Sequence, residues 1–255
     1  MVKDKIVGLI GRFFHKKGYK KIKRNLIGKN NQGIILMSGP SNEKDSFYNK
    51  TFDVAATSNL MQPKLFEKKV CANTYFHFFS DPSIISNPEK FQIFLDIYNY
   101  SKSKDNYYLV VPFNYIKKLR MVNIIFSKNV CIYNADLVYR SNLGFKLDKF
   151  CFPNMNTILL DSTLPWLAFL GTKNIEVSGF DAFYGTGNDK SYSSNTYNIK
   201  EKNIVESEWG KEVKDNAIVM TQLLHRLTDS SICYSKNSGF YKYIKDKHLE
   251  TILEK

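Results

Sequence analysis

Short runs of β-branched and aromatic residues, each too brief for a helix, alternate along this 255-residue chain with longer segments of helical rhythm. Residues 34–37, 54–57, 75–79, 107–111, 130–133, 175–177 and 232–234 read as strands, and residues 88–100, 156–170 and 213–227 as helices. Parallel strands need crossovers of about that length, so the expected class is α/β: a Rossmann-like, mostly parallel sheet with helices on both faces. With 43% of its residues hydrophobic and 15% aromatic, the chain can bury one such core. The domain is expected over residues 31–255, preceded by a leader over 1–30. No internal repeat is present.

Two apolar runs pass directly into small-residue turns. One is Gly33-Ile-Ile-Leu-Met-Ser-Gly-Pro-Ser41, which carries Ser38, Gly39, Pro40 and Ser41; the other is Gly171-Thr-Lys-Asn-Ile-Glu-Val-Ser-Gly-Phe-Asp-Ala-Phe-Tyr184, which carries Gly179 and Asp181. In open α/β sheets ligands bind just beyond the carboxyl ends of strands. Two such turns, far apart in sequence, point to one nucleotide-sized crevice. Residues 185–208 are polar and rich in Gly, Asn, Ser and Lys, which is long for a connection inside a compact domain. They read as a lid over the site or a disordered insert.

Charge is distributed unevenly. Residues 1–29 hold ten Lys and Arg against Asp4 alone, a net +9 of the whole chain's +13, which leaves +4 for the remainder. A nucleic-acid surface calls for basic residues spread over the folded body with aromatics between them, so this distribution argues against that partner. In the leader, Ile6, Leu9, Ile10 and Phe13 recur at helical spacing, and Ile22, Leu26 and Ile27 extend the stripe beyond Gly18. A cationic amphipathic helix of this kind suits an anionic membrane surface, which would make the protein cytoplasmic and peripheral on the cytoplasmic face of an inner membrane. The alternative is a basic helix packed on its own domain or on a second copy in a homo-oligomer. Recurrent charges and the lack of a small-residue cleavage site argue against a signal peptide. The four cysteines, Cys71, Cys131, Cys151 and Cys233, stand singly in apolar surroundings without a C-x-x-C pair, as reduced core residues would. None of the four histidines has metal-ligand company: His15 lies in the leader and His248 in the tail, while His77 and His225 read as core positions.

The chain carries no G-x-x-x-x-G-K-[ST], and Gly185-Thr-Gly187 lacks the third glycine of a dinucleotide fingerprint. No pair of aspartates stands at D-x-D spacing, so the usual carboxylate site for a metal bridging a sugar-nucleotide diphosphate is not evident. A donor needing less charge neutralisation fits better, with no metal cofactor expected.

The series Ser38-Gly-Pro-Ser41, Thr57-Ser-Asn59, Phe79-Ser-Asp-Pro-Ser83 and Val177-Ser-Gly-Phe-Asp181, followed by Tyr184 and Tyr192, resembles in order and spacing the bacterial sialyltransferases of glycosyltransferase family 42. The resemblance covers residues 33–235. It implies a GT-A-type variant of the Rossmann-like fold with a lid, transferring sialic acid from CMP-sialic acid without a metal to a surface glycan or glycolipid acceptor, as in lipooligosaccharide or capsule. It also implies that Tyr184 and Tyr192 contact the donor phosphate, and that Asn59 meets the donor through an amide able both to donate and to accept. Ser38 and Asp81 stand where the family has asparagine, and Asn156 and Thr157 are the nearest polar residues to its Ser-Gly loop. The family's histidine base is replaced by Glu206-Ser-Glu-Trp-Gly-Lys-Glu212, in which Glu208 is the candidate base. Taken alone, Gly39-Pro40 also suits a plain strand-ending turn and Asp81 a helix cap. Two other readings stay open: the same fold with another sugar nucleotide or as a nucleotide phosphotransferase, and a non-enzymatic nucleic-acid binder.

Overall fold

The computed structural model describes residues 2–26, 31–136, 149, 152–153, 157–181 and 208–246. Every run read as a strand is one: β1 (Gln32–Leu36), β2 (Thr51–Ser58), β3 (Cys71–Phe78), β4 (Tyr107–Pro112), β5 (Val130–Tyr133), and, after the short β6 (Ala135–Asp136) and β7 (Phe152–Pro153), β8 (Asn174–Ser178) and β9 (Ser231–Tyr234). Seven of them form one sheet in the order β5-β4-β3-β2-β1-β8-β9. All its neighbours pair in parallel, and β6 pairs with β7 apart from it. The protein is therefore an α/β fold of Rossmann-like type.

The helices are α1 (Val2–Asn25), α2 (Pro63–Lys69), α3 (Ser83–Ser86), α4 (Pro88–Lys102), α5 (Ile116–Met121), α6 (Leu164–Leu170), α7 (Glu208–Leu227) and α8 (Gly239–Asp246). A π-helical stretch, Leu159–Thr163, leads into α6, so the helix read over 156–170 is two kinds of helix in series. The start of α4 follows from its sequence. Asn87 accepts from the backbone N–H groups of Glu89 and Lys90, and Pro88 needs no donor partner at the first helical position. Helices α2, α3, α5 and α8 escape a periodicity reading because they run one or two turns.

Alternate side chains of each strand divide the core in two. On one face Ile35, Val54, Phe76, Phe78, Tyr108 and Val110 meet α1, α6, α7 and α8. On the other Ile34, Leu36, Ala55, Tyr75, Leu109 and Val111 meet α2 to α5. A parallel sheet covered in this way has strands that are apolar almost throughout, which is why each showed as a short continuous run.

Helix α1 is part of that packing. Tyr19 and Ile22 are buried in the core, the Tyr19 hydroxyl donates to the Phe169 carbonyl, and the His15 ring stacks on Trp166 at 5.0 Å between centroids. Among residues 11–22 the sheet-facing positions are thus Gly11, His15, Gly18, Tyr19 and Ile22, while Leu9, Ile10 and Phe13 point outward. No helix among the described residues is long and apolar enough to cross a membrane. The cysteine expectation needs correction: Cys131 is buried, but the free thiols of Cys71 and Cys233 are exposed. Cys71 opens β3, and Cys233 alternates with buried Ile232 and Tyr234 on the sheet's edge strand β9. Cys151 and His248 lie outside the described residues.

Because Ile22 sits in the core and Leu9 does not, Ile22→Ala is expected to lower unfolding stability by about 2–5 kcal/mol and Leu9→Ala by no more than about 0.5 kcal/mol. Urea titration of the full chain followed by far-UV circular dichroism checks both.

Candidate functional site

Strands β1 and β8 are neighbours, but the chain leaves them in opposite directions across the sheet, β1 toward β2 and β8 toward β9. This is the topological switch point, where an open α/β sheet leaves room for a ligand. Both small-residue turns lie there. The β1–β8 pairing, which sets Leu36 opposite Ser178, runs on past the strands: Met37 N–H donates to the Ser178 carbonyl at 2.8 Å and Gly39 N–H to that of Gly179 at 3.0 Å. The backbones approach so closely that a Cβ on Gly39 would lie 2.3 Å from the Gly179 carbonyl oxygen and 2.3 Å from Asp181 Oδ2. A Cβ on Gly179, whose φ is +73°, would lie 2.3 Å from the Met37 carbonyl oxygen.

Asp181 holds these turns in place. Its Oδ2 accepts from Ser41 N–H and its Oδ1 from Gly239 N–H, each at 2.9 Å, which joins the 3₁₀ turn Pro40–Lys44 to the start of α8. Ser38, Gly39 and Pro40 are half-buried around it. Ser41 is buried, and its Oγ makes no hydrogen bond among the described residues.

One strand over, Asn59 follows β2 with φ +46°, a left-handed conformation that asparagine tolerates. Its N–H donates to the Phe78 carbonyl at 2.7 Å, and its Oδ1 accepts from Ser80 N–H at 3.3 Å. Its Nδ2 is uncommitted among the described residues. Beneath it lies His77, fully buried and stacked on Phe79 with 4.9 Å between ring centroids. Nε2 of His77 is 2.7 Å from the Asn59 carbonyl and Nδ1 3.0 Å from the Tyr107 hydroxyl. A carbonyl only accepts, so Nε2 carries the proton and Nδ1 accepts from Tyr107. Burial pushes the imidazole down from 6.5 to about 4, the state of a satisfied core histidine.

Asp81, after β3, turns its carboxylate to its own chain: Oδ1 accepts from Ser83 N–H at 2.8 Å, Oδ2 from Ser83 Oγ at 2.6 Å, and Lys90 Nζ stands 3.6 Å away. It thus caps the turn entering α3. Tyr115 donates to the Asp81 carbonyl and Tyr133 to that of Phe79, and burial raises both phenols so that they stay protonated donors. The Thr157 carbonyl accepts from Leu160 and Asp161 N–H, which opens the helical stretch. Glu208 is the first residue of α7, so the helix starts five residues before its expected point at residue 213. Asn156, Tyr184, Tyr192 and lid residues 185–207 lie outside the described residues.

One residue escaped the sequence reading. Asp45 accepts from Ser178 Oγ at 2.5 Å, Ser235 Oγ at 2.8 Å and Asn237 Nδ2 at 2.6 Å, binding the ends of β8 and β9 to the loop after β1. No motif marks it. The available signal was that Ser178 and Ser235 are the polar residues at which two apolar strands stop.

Ser38 to Ser41, Asn59, Asp81, Gly179 and Asp181 therefore share the carboxyl edge of one parallel sheet in a Rossmann-like α/β protein. Comparison with protein-family models, curated proteins and solved structures finds no match, so the family resemblance rests on the motif residues.

Gly179→Ala, combining a left-handed φ with a backbone collision, is expected to cost about 2 kcal/mol or more, measured by urea titration. His77 gives a pH dependence of known sign. Its folded pKa of about 4 lies below the unfolded 6.5, so as pH falls through that window the unfolded chain takes up a proton the folded one refuses. Its contribution, complete above pH 6.5, drains by about 3 kcal/mol toward pH 4. Urea titrations across this range should show a shallower dependence for His77→Gln.

Proposed function

We propose that the chain is a metal-independent glycosyltransferase that holds a CMP-activated sugar at the β1/β8 switch point and passes it to a hydroxyl of a surface glycan or glycolipid. The reading is carried by one observation: two turns that resemble the sialyltransferase series meet where the strand order reverses, and the other two follow β2 and β3 on the same carboxyl edge, where the Asn59 amide donor is uncommitted among the described residues. In the reaction an acceptor oxygen attacks the anomeric carbon, with inversion, while the bond to the CMP phosphate oxygen breaks. Glu208 takes the acceptor proton, and the Tyr184 and Tyr192 hydroxyls stabilise the charge gathering on the leaving phosphate. Asp181 and Asp45 position the turns. A second reading, another sugar nucleotide or a nucleotide phosphotransferase on the same fold, is favoured by Ser38 and Asp81, which replace the family's asparagines.

Thermal denaturation with CMP, CDP, UDP, GDP and ATP, with and without magnesium, separates the two. CMP alone, at about a hundred times its Kd, should raise the midpoint by roughly 5–10 °C. Asn59→Asp keeps the acceptor for Ser80 N–H and the tolerance for left-handed φ but loses the donor, and should abolish that shift. A magnesium-dependent response to a diphosphate would transfer the assignment to the second reading. Glu208→Gln should keep the CMP shift and lower turnover about 10²–10⁴-fold; full turnover would remove Glu208 as base.

A further inference from the structure

We propose that the N-terminal turns of α1 dock the protein on an anionic lipid bilayer, with the carboxyl edge of the sheet turned toward the lipid. The direction of α1 comes first. Gly18 lies against Cys131 and Ile132 of β5, and Gly11 against Asn134, the residue just past that strand's carboxyl end. Helix α1 therefore runs antiparallel to β5, and the residues ahead of Gly11 continue beyond the edge at which the turns after β1 and β8 lie.

The sheet holds the face formed by Gly11, His15, Gly18, Tyr19 and Ile22, so the opposite face looks outward. That face begins apolar, with Leu9 68%, Phe13 64% and Ile10 44% exposed. It continues cationic, with Lys16, Lys17, Lys20, Lys23 and Arg24 on its later turns. At 1.5 Å per residue, Lys16 to Lys20 lie about 5–15 Å along the axis from the apolar cluster of Leu9, Ile10 and Phe13. An interfacial segment seats its apolar side chains about 5–10 Å into the headgroup and acyl boundary, which leaves these lysines level with the phosphates. Charge complementarity is strong on this element: Asp4 is its one acidic residue, and none follows before Glu43. A nucleic acid would engage the same cations but leave Leu9, Ile10 and Phe13 in water, whereas a bilayer takes both sets. The sequence-level picture of a whole amphipathic leader on the membrane is thereby narrowed to its first half, because the second half belongs to the core. A lipid-linked acceptor would then meet the edge that carries the candidate site.

Docking stands on α1 alone and requires no nucleotide, so its failure and the failure of the glycosyltransferase reading are separate: vesicle binding tests one, the CMP thermal shift the other. The test is co-sedimentation of the full chain with phosphatidylcholine vesicles and with vesicles containing phosphatidylglycerol. Binding only to the anionic vesicles, released by salt, is expected. Leu9→Ser/Phe13→Ser should weaken it about tenfold or more while leaving the melting temperature and any CMP shift unchanged. An Ile10→Trp variant should show a blue-shifted fluorescence component on adding anionic vesicles. No binding to anionic vesicles, or equal binding by the double variant, overturns the proposal. So does tighter binding to a DNA duplex that the double variant retains, or a dimer in light scattering that the double variant disperses.

Discussion

Two adjacent parallel strands whose connections depart in opposite directions leave a row of backbone amides and carbonyls beyond their ends with no neighbouring strand to receive them. At the junction of β1 and β8 these groups are satisfied locally, by the Met37 and Gly39 amides on the Ser178 and Gly179 carbonyls and by the Asp181 carboxylate on Ser41 and Gly239. Buried backbone polar groups that lack partners are costly, so this closure is what permits the strand order to reverse here. The glycines at 39 and 179 follow from it, because the backbones meet at distances that leave no volume for a Cβ. So does the attachment of α8, whose first residue is held through the same carboxylate.

A second layer of polar contacts seals the rest of the carboxyl edge from inside. His77 joins the Asn59 carbonyl to Tyr107 within the core, while Tyr115 and Tyr133 close the carbonyls of Asp81 and Phe79. Each group sits where burial favours its uncharged form, a phenol kept protonated or an imidazole kept neutral. The aromatic richness of the chain thus has a specific use, since a Tyr can fill the core with its ring and cap a strand end with its hydroxyl. Asn59 links this layer to the surface: its backbone faces the histidine, its Oδ1 the next turn, and its Nδ2 is left over.

The strands were legible because a sheet covered on both faces makes its strands apolar almost throughout, and the two turns because Gly39 and Gly179 are small for a reason the backbone enforces. Three things were hidden, each for a physical cause. In α1 the positions facing the sheet are Gly11, His15 and Gly18, which let the helix come close, whereas Leu9 and Phe13 face outward; a hydrophobicity reading of those turns inverts the packing. Asp181 stands beside a strand-end turn as a ligand contact would, yet amides beyond a strand end need acceptors, and its carboxylate supplies one, as that of Asp81 does in the helix-cap role its sequence also suited. Asp45 was invisible because its partners are spread over residues 178–237, brought together only by the strand order.

The internal hydrogen bonds of this edge also restrict what it can recognise. Asp45, Asp81 and Asp181 each have both carboxylate oxygens accepting internal hydrogen bonds, so none is presented as a bare charge. Among the described residues the Nδ2 of Asn59 is a neutral donor without an internal partner, and the hydroxyl of Ser41 is another, buried against the turn. Neutral donors of this kind suit a ligand with one phosphate better than a diphosphate, whose charge calls for a cation or several basic side chains. Under the proposed reading the leaving phosphate meets such donors, with Asp181 fixing the Ser41 backbone beside them.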